Sequence, residues 1–199
     1  MASAAMVAYC FDSLCAHFSG DDEPPPTFDV DATYPLFVTW EKESTPGDVR
    51  LRGCIGTLSP TTLANLREFA FKSALKDRRF DPIGAHELER LHCSVSLLLD
   101  YEDAEHYADW DIDTHGIIIE FHDANGQFYS ATYLPDVARE QGWDHLEAVT
   151  SLVRKAGFRR SVTKALLESI KLTRYRSAKH KLSYQEYLEY KQAIAAKAG

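Results

Sequence analysis

Asn125-Gly126 restricts the fold of this chain more than any other feature. The pair stands between GIIIEFHD and QFYSATY, two runs rich in β-branched and aromatic residues. Asn-Gly in that setting is the strongest short-range sign of a hairpin. A second hairpin is predicted from LFVTWEKE (36–43) and VRLRGCIG (49–56), joined through STPGD with Pro46-Gly47 at the bend. Hairpins link antiparallel neighbours, and the strands here do not alternate with helices in a regular βαβ rhythm.

Helical periodicity fills much of the rest. Val7, Phe11, Leu14 and Phe18 predict a helix over 3–18 that Gly20 stops. Three prolines and five acids in DDEPPPTFDVDAT then break regular structure, leaving a loop over 21–33. Leu63, Leu66, Ala70 and Ala74 share one face of a helix predicted over 61–77, and HELERL (86–91) reads as one turn before the strand CSVSLLLDY. Pro135 opens a short helix that Gly142 ends. Asp144 with Glu147 caps a helix whose apolar face carries Leu146, Val149, Leu152, Val153 and Ala156. A short helix in SVTKALLESI and a basic strand from IKLTRYR follow, and Ser183 with Glu186 forms a capping box for a helix over 184–197. The expected fold is α+β, a largely antiparallel sheet flanked by helices, in a single domain over 1–199.

Bulk properties exclude several classes of function. No apolar run approaches the ~20 residues of a membrane span, and MASAAMVAYCFDSLCAHF lacks a basic n-region, so neither membrane anchoring nor secretion is expected. The four cysteines, Cys10, Cys15, Cys54 and Cys93, show no CxxC spacing. They predict thiols in a reducing compartment, cytoplasm or nucleus, rather than a disulfide framework. His92-Cys93 are adjacent and point to opposite faces of a strand, HExxH and EF-hand spacings are absent, and neither GxGxxG nor a phosphate loop occurs. No metal and no cofactor are therefore expected.

The net charge of −8 conceals an asymmetry: residues 1–150 hold 10 Lys and Arg against 27 Asp and Glu, residues 151–199 hold 12 against 3. Basic residues 171–181 place Arg174 and Arg176 on one strand face with Tyr175 opposite. That arrangement suits single-stranded nucleic acid, or an edge strand protected by positive charge, which is the favoured reading. Cys54, framed by Gly53 and Gly56, is a candidate nucleophile. If strand alternation holds, Arg50 and Arg52 share its face and can depress its pKa. Candidate bases are His86, His92, His115 and His145, with His115 preferred at a loop-to-strand junction. A buried structural residue, or one lining a ligand site, is the favoured reading of Cys54. In KDRRF, Asp77, Arg78 and Arg79 follow a helix C-terminus, where an arginine can clamp a phosphate or carboxylate; an Asp–Arg bridge with Phe80 packed into the core, the favoured reading, explains them without a ligand.

LRGCIGTLSP, SALKDRRFDP, CSVSLLLDYEDAEHYADWDIDTHGIIIEF, ATYLPDVAREQGWD and IKLTRYRSAKHKLSYQEY occur in this order, and together they resemble the AMMECR domain family, eukaryotic members above all, over roughly residues 34–190. The resemblance implies an α+β fold with a larger and a smaller lobe forming a cleft, and a family whose biochemical activity is not established. Prokaryotic relatives are associated with a Memo-like protein and a radical-SAM enzyme, which implies a modification pathway without naming a reaction. The resemblance also implies a cleft lined by LRGCIGT, with Arg52, Gly53, Cys54, Gly56 and Thr57 as binding residues beside Asp77 and Arg79. The expected function is a binding or regulatory module for a protein partner or small ligand. An enzyme with Cys54 as reactive thiol and His115 beside it, or a nucleic-acid regulator using Arg174 and Arg176, are the alternatives.

Overall fold

The computed structural model describes residues 1–198 of the chain. Six strands and six α-helices follow one another as α1 (Ala4–Ser19), β1 (Thr33–Thr45), β2 (Asp48–Thr62), α2 (Leu66–Leu75), β3 (Leu91–Asp103), β4 (Gly116–His122), β5 (Phe128–Tyr133), α3 (Pro135–Gln141), α4 (His145–Lys155), α5 (Lys164–Ser169), β6 (Lys171–Ser183) and α6 (Tyr184–Ala198). The strands form a largely antiparallel sheet in the order β2-β1-β3-β6-β4-β5. The expected α+β architecture is the one found. Two compact units divide the chain, Met1–Leu98 with the segment from Ala178 onward, and Leu99–Ser177, and β3 and β6 contribute residues to each.

In the first unit, Val7, Cys10, Phe11 and Leu14 bury one face of α1, and Gly20, at φ 78°, turns the chain out of it. Leu36, Val38 and Trp40 point inward from alternate positions of β1, as do Leu91, Cys93, Val95 and Leu97 from β3. Leu66, Ala70 and Ala74 of α2 complete this core. Trp40 Nε1 donates to the Ala70 carbonyl at 3.1 Å, which fixes α2 on the sheet. The Ser183–Glu186 capping box opens α6 with reciprocal bonds of 2.7 and 3.2 Å, and Tyr187 stacks on Phe11.

The helix expected over 61–77 is shorter. Thr61 and Thr62 extend β2 opposite Tyr34 and Thr33, and a 3₁₀ turn, Leu63–Asn65, precedes α2. Pro60 is tolerated in this strand because β2 lies at the edge of the sheet, where a missing N–H costs no ladder bond.

The second unit builds its own core. Ile117, Ile119 and Phe121 of β4 meet Val149, Leu152 and Val153 of α4, whose N-terminus is closed by the Asp144–Glu147 capping box. Leu146, expected on the buried face, is 47% exposed in the first turn, and Ala148 takes a fully buried place instead. The Asn125-Gly126 hairpin forms with Gly126 at φ 79°. The basic strand β6, expected at an edge, is internal and pairs with β4 from Gly116↔Tyr175 to Glu120↔Lys171. Its cations face carboxylates rather than guard an edge: Lys171 reaches Asp103, and Arg174 reaches Glu102 and Asp109.

Candidate functional site

The LRGCIGTL stretch lies in β2, and a β-bulge governs what it presents. Trp40 pairs with Gly53 but Glu41 pairs with Leu51, so Arg52 is the extra residue. A bulge breaks the two-residue alternation. Arg50 and Arg52 therefore do not form one row with Cys54, contrary to the expectation from a regular strand. Arg50 pairs with Asp48 in solvent. Cys54 stands opposite Thr39, whose hydroxyl lies 3.2 Å from Cys54 Sγ.

Both motif glycines are explained by sterics inside the fold. A Cβ on Gly53 would stand 2.0 Å from the Ser73 carbonyl oxygen of α2, and one on Gly56 would stand 2.2 Å from the Leu36 carbonyl oxygen. The close approach that glycine permits is taken up by a helix and a neighbouring strand. Thr57 Oγ1 accepts from Ser59 N at 3.0 Å and so organises its own strand.

Because α2 packs so closely on Gly53, the chain leaving its C-terminus delivers Asp77 to the backbone of Cys54. Asp77 is 6% exposed. Its carboxylate accepts the Cys54 N–H at 2.9 Å and the Arg79 N–H at 3.2 Å, and takes Arg79 Nε and Nη2 at 3.0 and 2.7 Å. The Arg79 side-chain bonds hold the carboxyl well below the usual carboxylate range, against the opposing effect of burial, and the two backbone donors add to them. Arg79 Nη2 also donates to the Cys54 carbonyl at 3.2 Å. Asp77 and Arg79 thus bracket both backbone polar groups of Cys54, and the Asp–Arg bridge that explains them without a ligand is present.

Arg52 serves a second buried carboxylate. Its Nε and Nη2 donate to Glu87 at 3.1 and 2.9 Å, and its Nη1 and Nη2 donate to the carbonyls of Asp81 and Pro82 at 2.7 and 3.3 Å. Lys42 Nζ reaches the same Glu87 at 2.7 Å, and Gly84 N–H donates to it at 3.0 Å. Burial raises the pKa of Glu87, but the bonds from Arg52, Lys42 and Gly84 outweigh it and bring the carboxyl down to about 2. Glu87 and Lys42 were not selected from the sequence, although one signal was available. Lys42 continues the inward row Leu36, Val38, Trp40, and a lysine in such a row needs a buried counter-charge. Next to these two carboxylate clusters lies a polar depression of about 510 Å³, lined by Lys42, Arg52, Glu87 and the run Arg78–Asp81.

The remaining candidates are placed elsewhere. His86 is exposed, and His92 sits opposite Glu41 on β3. In the second unit His115 is buried, with Nδ1 accepting the Asp111 N–H at 3.0 Å, which assigns it to holding its loop. His145 Nε2 lies 2.8 Å from the Trp110 carbonyl oxygen. Arg174 is occupied by Glu102 and by Asp109, while Arg176 is exposed. Tyr175 is fully buried, its hydroxyl within hydrogen-bonding distance of Thr132 Oγ1 and the Tyr133 carbonyl, so its ring is not a stacking platform for a base. No group of three or more potential metal ligands occurs among the described residues, and no helix among them is long and apolar enough to cross a membrane.

Comparison with known proteins places this arrangement in context. The family model AMMECR1 matches residues 7–180. An uncharacterized protein of Arabidopsis thaliana is 49% identical over 200 residues, covering 100% of this chain and 93% of its own. An uncharacterized protein of Schizosaccharomyces pombe is 43% identical over 77% of this chain and 78% of its own. Among solved structures, an uncharacterized protein from Pyrococcus horikoshii superposes with a TM-score of 0.72 at 26% identity, covering 91% of this chain and 90% of that one. With the family model spanning most of the chain and the fold shared across this distance, the chain belongs to the AMMECR1 family.

Proposed function

We propose that the protein is a binding or regulatory module of the cytosol or nucleus, and that its recognition surface is built around residues 51–58 and the adjoining 77–87 segment. The observation that carries this reading is the way the motif spends its polar groups. Arg52 is consumed by Glu87 and two carbonyls, and the backbone of Cys54 is consumed by Asp77 and Arg79. Such a network fixes a surface in one shape, which suits recognition, where ordering before binding reduces the cost of association. Leu51, 43% exposed on the edge strand, offers an apolar contact beside it.

The test is partner capture from cell extract by the full chain, compared with a Leu51→Ser, Cys54→Ser variant that keeps the wild-type unfolding temperature. The expected result is a defined partner set retained by the wild type and lost by the variant. Capture that is indifferent to both substitutions overturns the proposal.

The reading of Cys54 as a reactive thiol is favoured by one observation, the Thr39 hydroxyl 3.2 Å from a part-buried Sγ. A binding module predicts that iodoacetamide modifies Cys54 no faster than an ordinary thiol of pKa near 8.5. Modification at pH 6.5 about tenfold faster than that reference would establish an activated thiolate and favour the enzyme reading.

A further inference from the structure

We propose that the depression lined by Lys42 and Arg78–Phe80 is an oxyanion site for a small phosphate-bearing ligand, with Arg78 as its principal recognition residue. This inference rests on the reading of the first unit as a binding module and names the chemistry of what it binds.

The cations around the depression are not equivalent. Arg52 is held by Glu87 and two carbonyls, Lys42 by Glu87, and Arg79 by Asp77. Arg78, in contrast, is exposed and makes no hydrogen bond or ion pair among the described residues. An arginine without such a partner among the described residues that lines a concavity is available to a ligand, and its planar fork of five donors matches phosphate geometry. Arg79 Nη1 and the remaining ammonium hydrogens of Lys42 point to the same conclusion, since none of them is used by the internal carboxylates.

Charge supports the same class. Lys42, Arg52, Arg78 and Arg79 outnumber the carboxylates of Asp77, Asp81 and Glu87 by one, on a chain whose net charge is −8. With Asp77 held well below the usual carboxylate range and Glu87 at about 2, neither carboxylate gains a proton near neutrality, so the balance is fixed there. A single excess positive charge with several unspent donors suits one compact oxyanion better than a long polyanion, which would meet the acidic remainder of the chain. The volume of about 510 Å³ exceeds what a bare phosphate needs and falls within the range of small-molecule sites. Phe80, half-buried with the Arg79 guanidinium 5.4 Å from its ring centroid, supplies one apolar surface for the organic part of such a ligand.

Titration calorimetry on the full-length protein at low salt tests the site, with inorganic pyrophosphate as the phosphate probe and citrate as the carboxylate probe. Pyrophosphate is expected to bind, to weaken as salt rises, and to bind about tenfold or more weakly to Arg78→Ala, the loss expected for one charge-assisted pair. Because Arg78 makes no hydrogen bond or ion pair among the described residues, this variant should unfold at the wild-type temperature. Absence of pyrophosphate binding, equal binding by Arg78→Ala, or tighter binding of citrate than of pyrophosphate would each overturn the assignment. The two proposals fail separately. Motif-dependent partner capture without anion binding refutes only the oxyanion site, and Arg78-dependent anion binding without partner capture leaves a small-ligand module and refutes only the recognition of a protein partner.

Discussion

Replacing Glu87 with Gln is expected to destabilise the protein by about 3–5 kcal/mol, the usual cost of removing one partner from a buried charge network. The Glu87 side chain is 5% exposed and holds Lys42, 25% exposed, and Arg52, 15% exposed. Gln preserves the shape but supplies one carbonyl oxygen where two charged oxygens took bonds from Arg52, Lys42 and the Gly84 N–H. At least one cation is then left poorly compensated in a part-buried position. For a chain of this length the loss corresponds to a fall in unfolding temperature of roughly 10 °C. The pH dependence of stability should change as well. The carboxyl titrates at about 2 when folded, against a reference value of 4.5. Between these values the unfolded chain binds the extra proton, so stability rises with pH there. The contribution is complete above the reference value and disappears as pH falls through the folded one. Urea midpoints measured across that window should show a shallower acid slope in Glu87→Gln than in the wild type. An unfolding temperature within about 2 °C of wild type at neutral pH would show that the network contributes little.

How much of this the amino-acid sequence discloses depends on the range of each interaction. The two hairpins and the α4 and α6 caps are local: Pro46-Gly47, Asn125-Gly126, Asp144 with Glu147 and Ser183 with Glu186 each act within a few residues, and each was legible. The start of α2 was not. Residues 59–62 have the polar, proline-led character of a helix N-terminus, but pairing with Thr33 and Tyr34 draws them into β2, a tertiary effect that overrides local preference. The place of β6 within the sheet is likewise decided by distant partners. Its basic residues do resemble those of a protected edge, and the opposing Glu102, Asp103 and Asp109 account for Lys171 and Arg174.

In the site, Asp77 and Arg79 were selected with LRGCIGT and meet it at Cys54. Glu87 escaped because 35 residues separate it from Arg52 and 45 from Lys42, and no spacing rule links such positions. The bulge at Arg52 escaped for a related reason: one inserted residue reverses which side chains share a face, yet leaves no composition signature beyond the adjacent glycine.

That glycine bears the second large prediction. Gly53→Ala is expected to cost about 3 kcal/mol or more, at or above the upper end of ordinary overpacking. The added methyl would meet the Ser73 carbonyl oxygen at 2.0 Å. A backbone oxygen cannot swing aside as a side-chain tip can, so either α2 or β2 must move. Movement of α2 disturbs the burial of Leu66, Ala70 and Ala74 and the bond from Trp40 to the Ala70 carbonyl. It also carries Asp77 away from the Cys54 N–H, because Asp77 leaves directly from the end of that helix. The variant should therefore lose partner capture as well as stability. Gly126→Ala provides the comparison. Nothing lies within 4 Å of a Cβ there, and its positive φ of 79° makes backbone strain the whole penalty, about 1 kcal/mol. Urea unfolding of the two variants should thus separate them clearly, with the hairpin variant retaining capture. Equal midpoints for Gly53→Ala and wild type would mean that α2 yields to the methyl without loss, and that the close approach at Gly53 is not what positions Asp77.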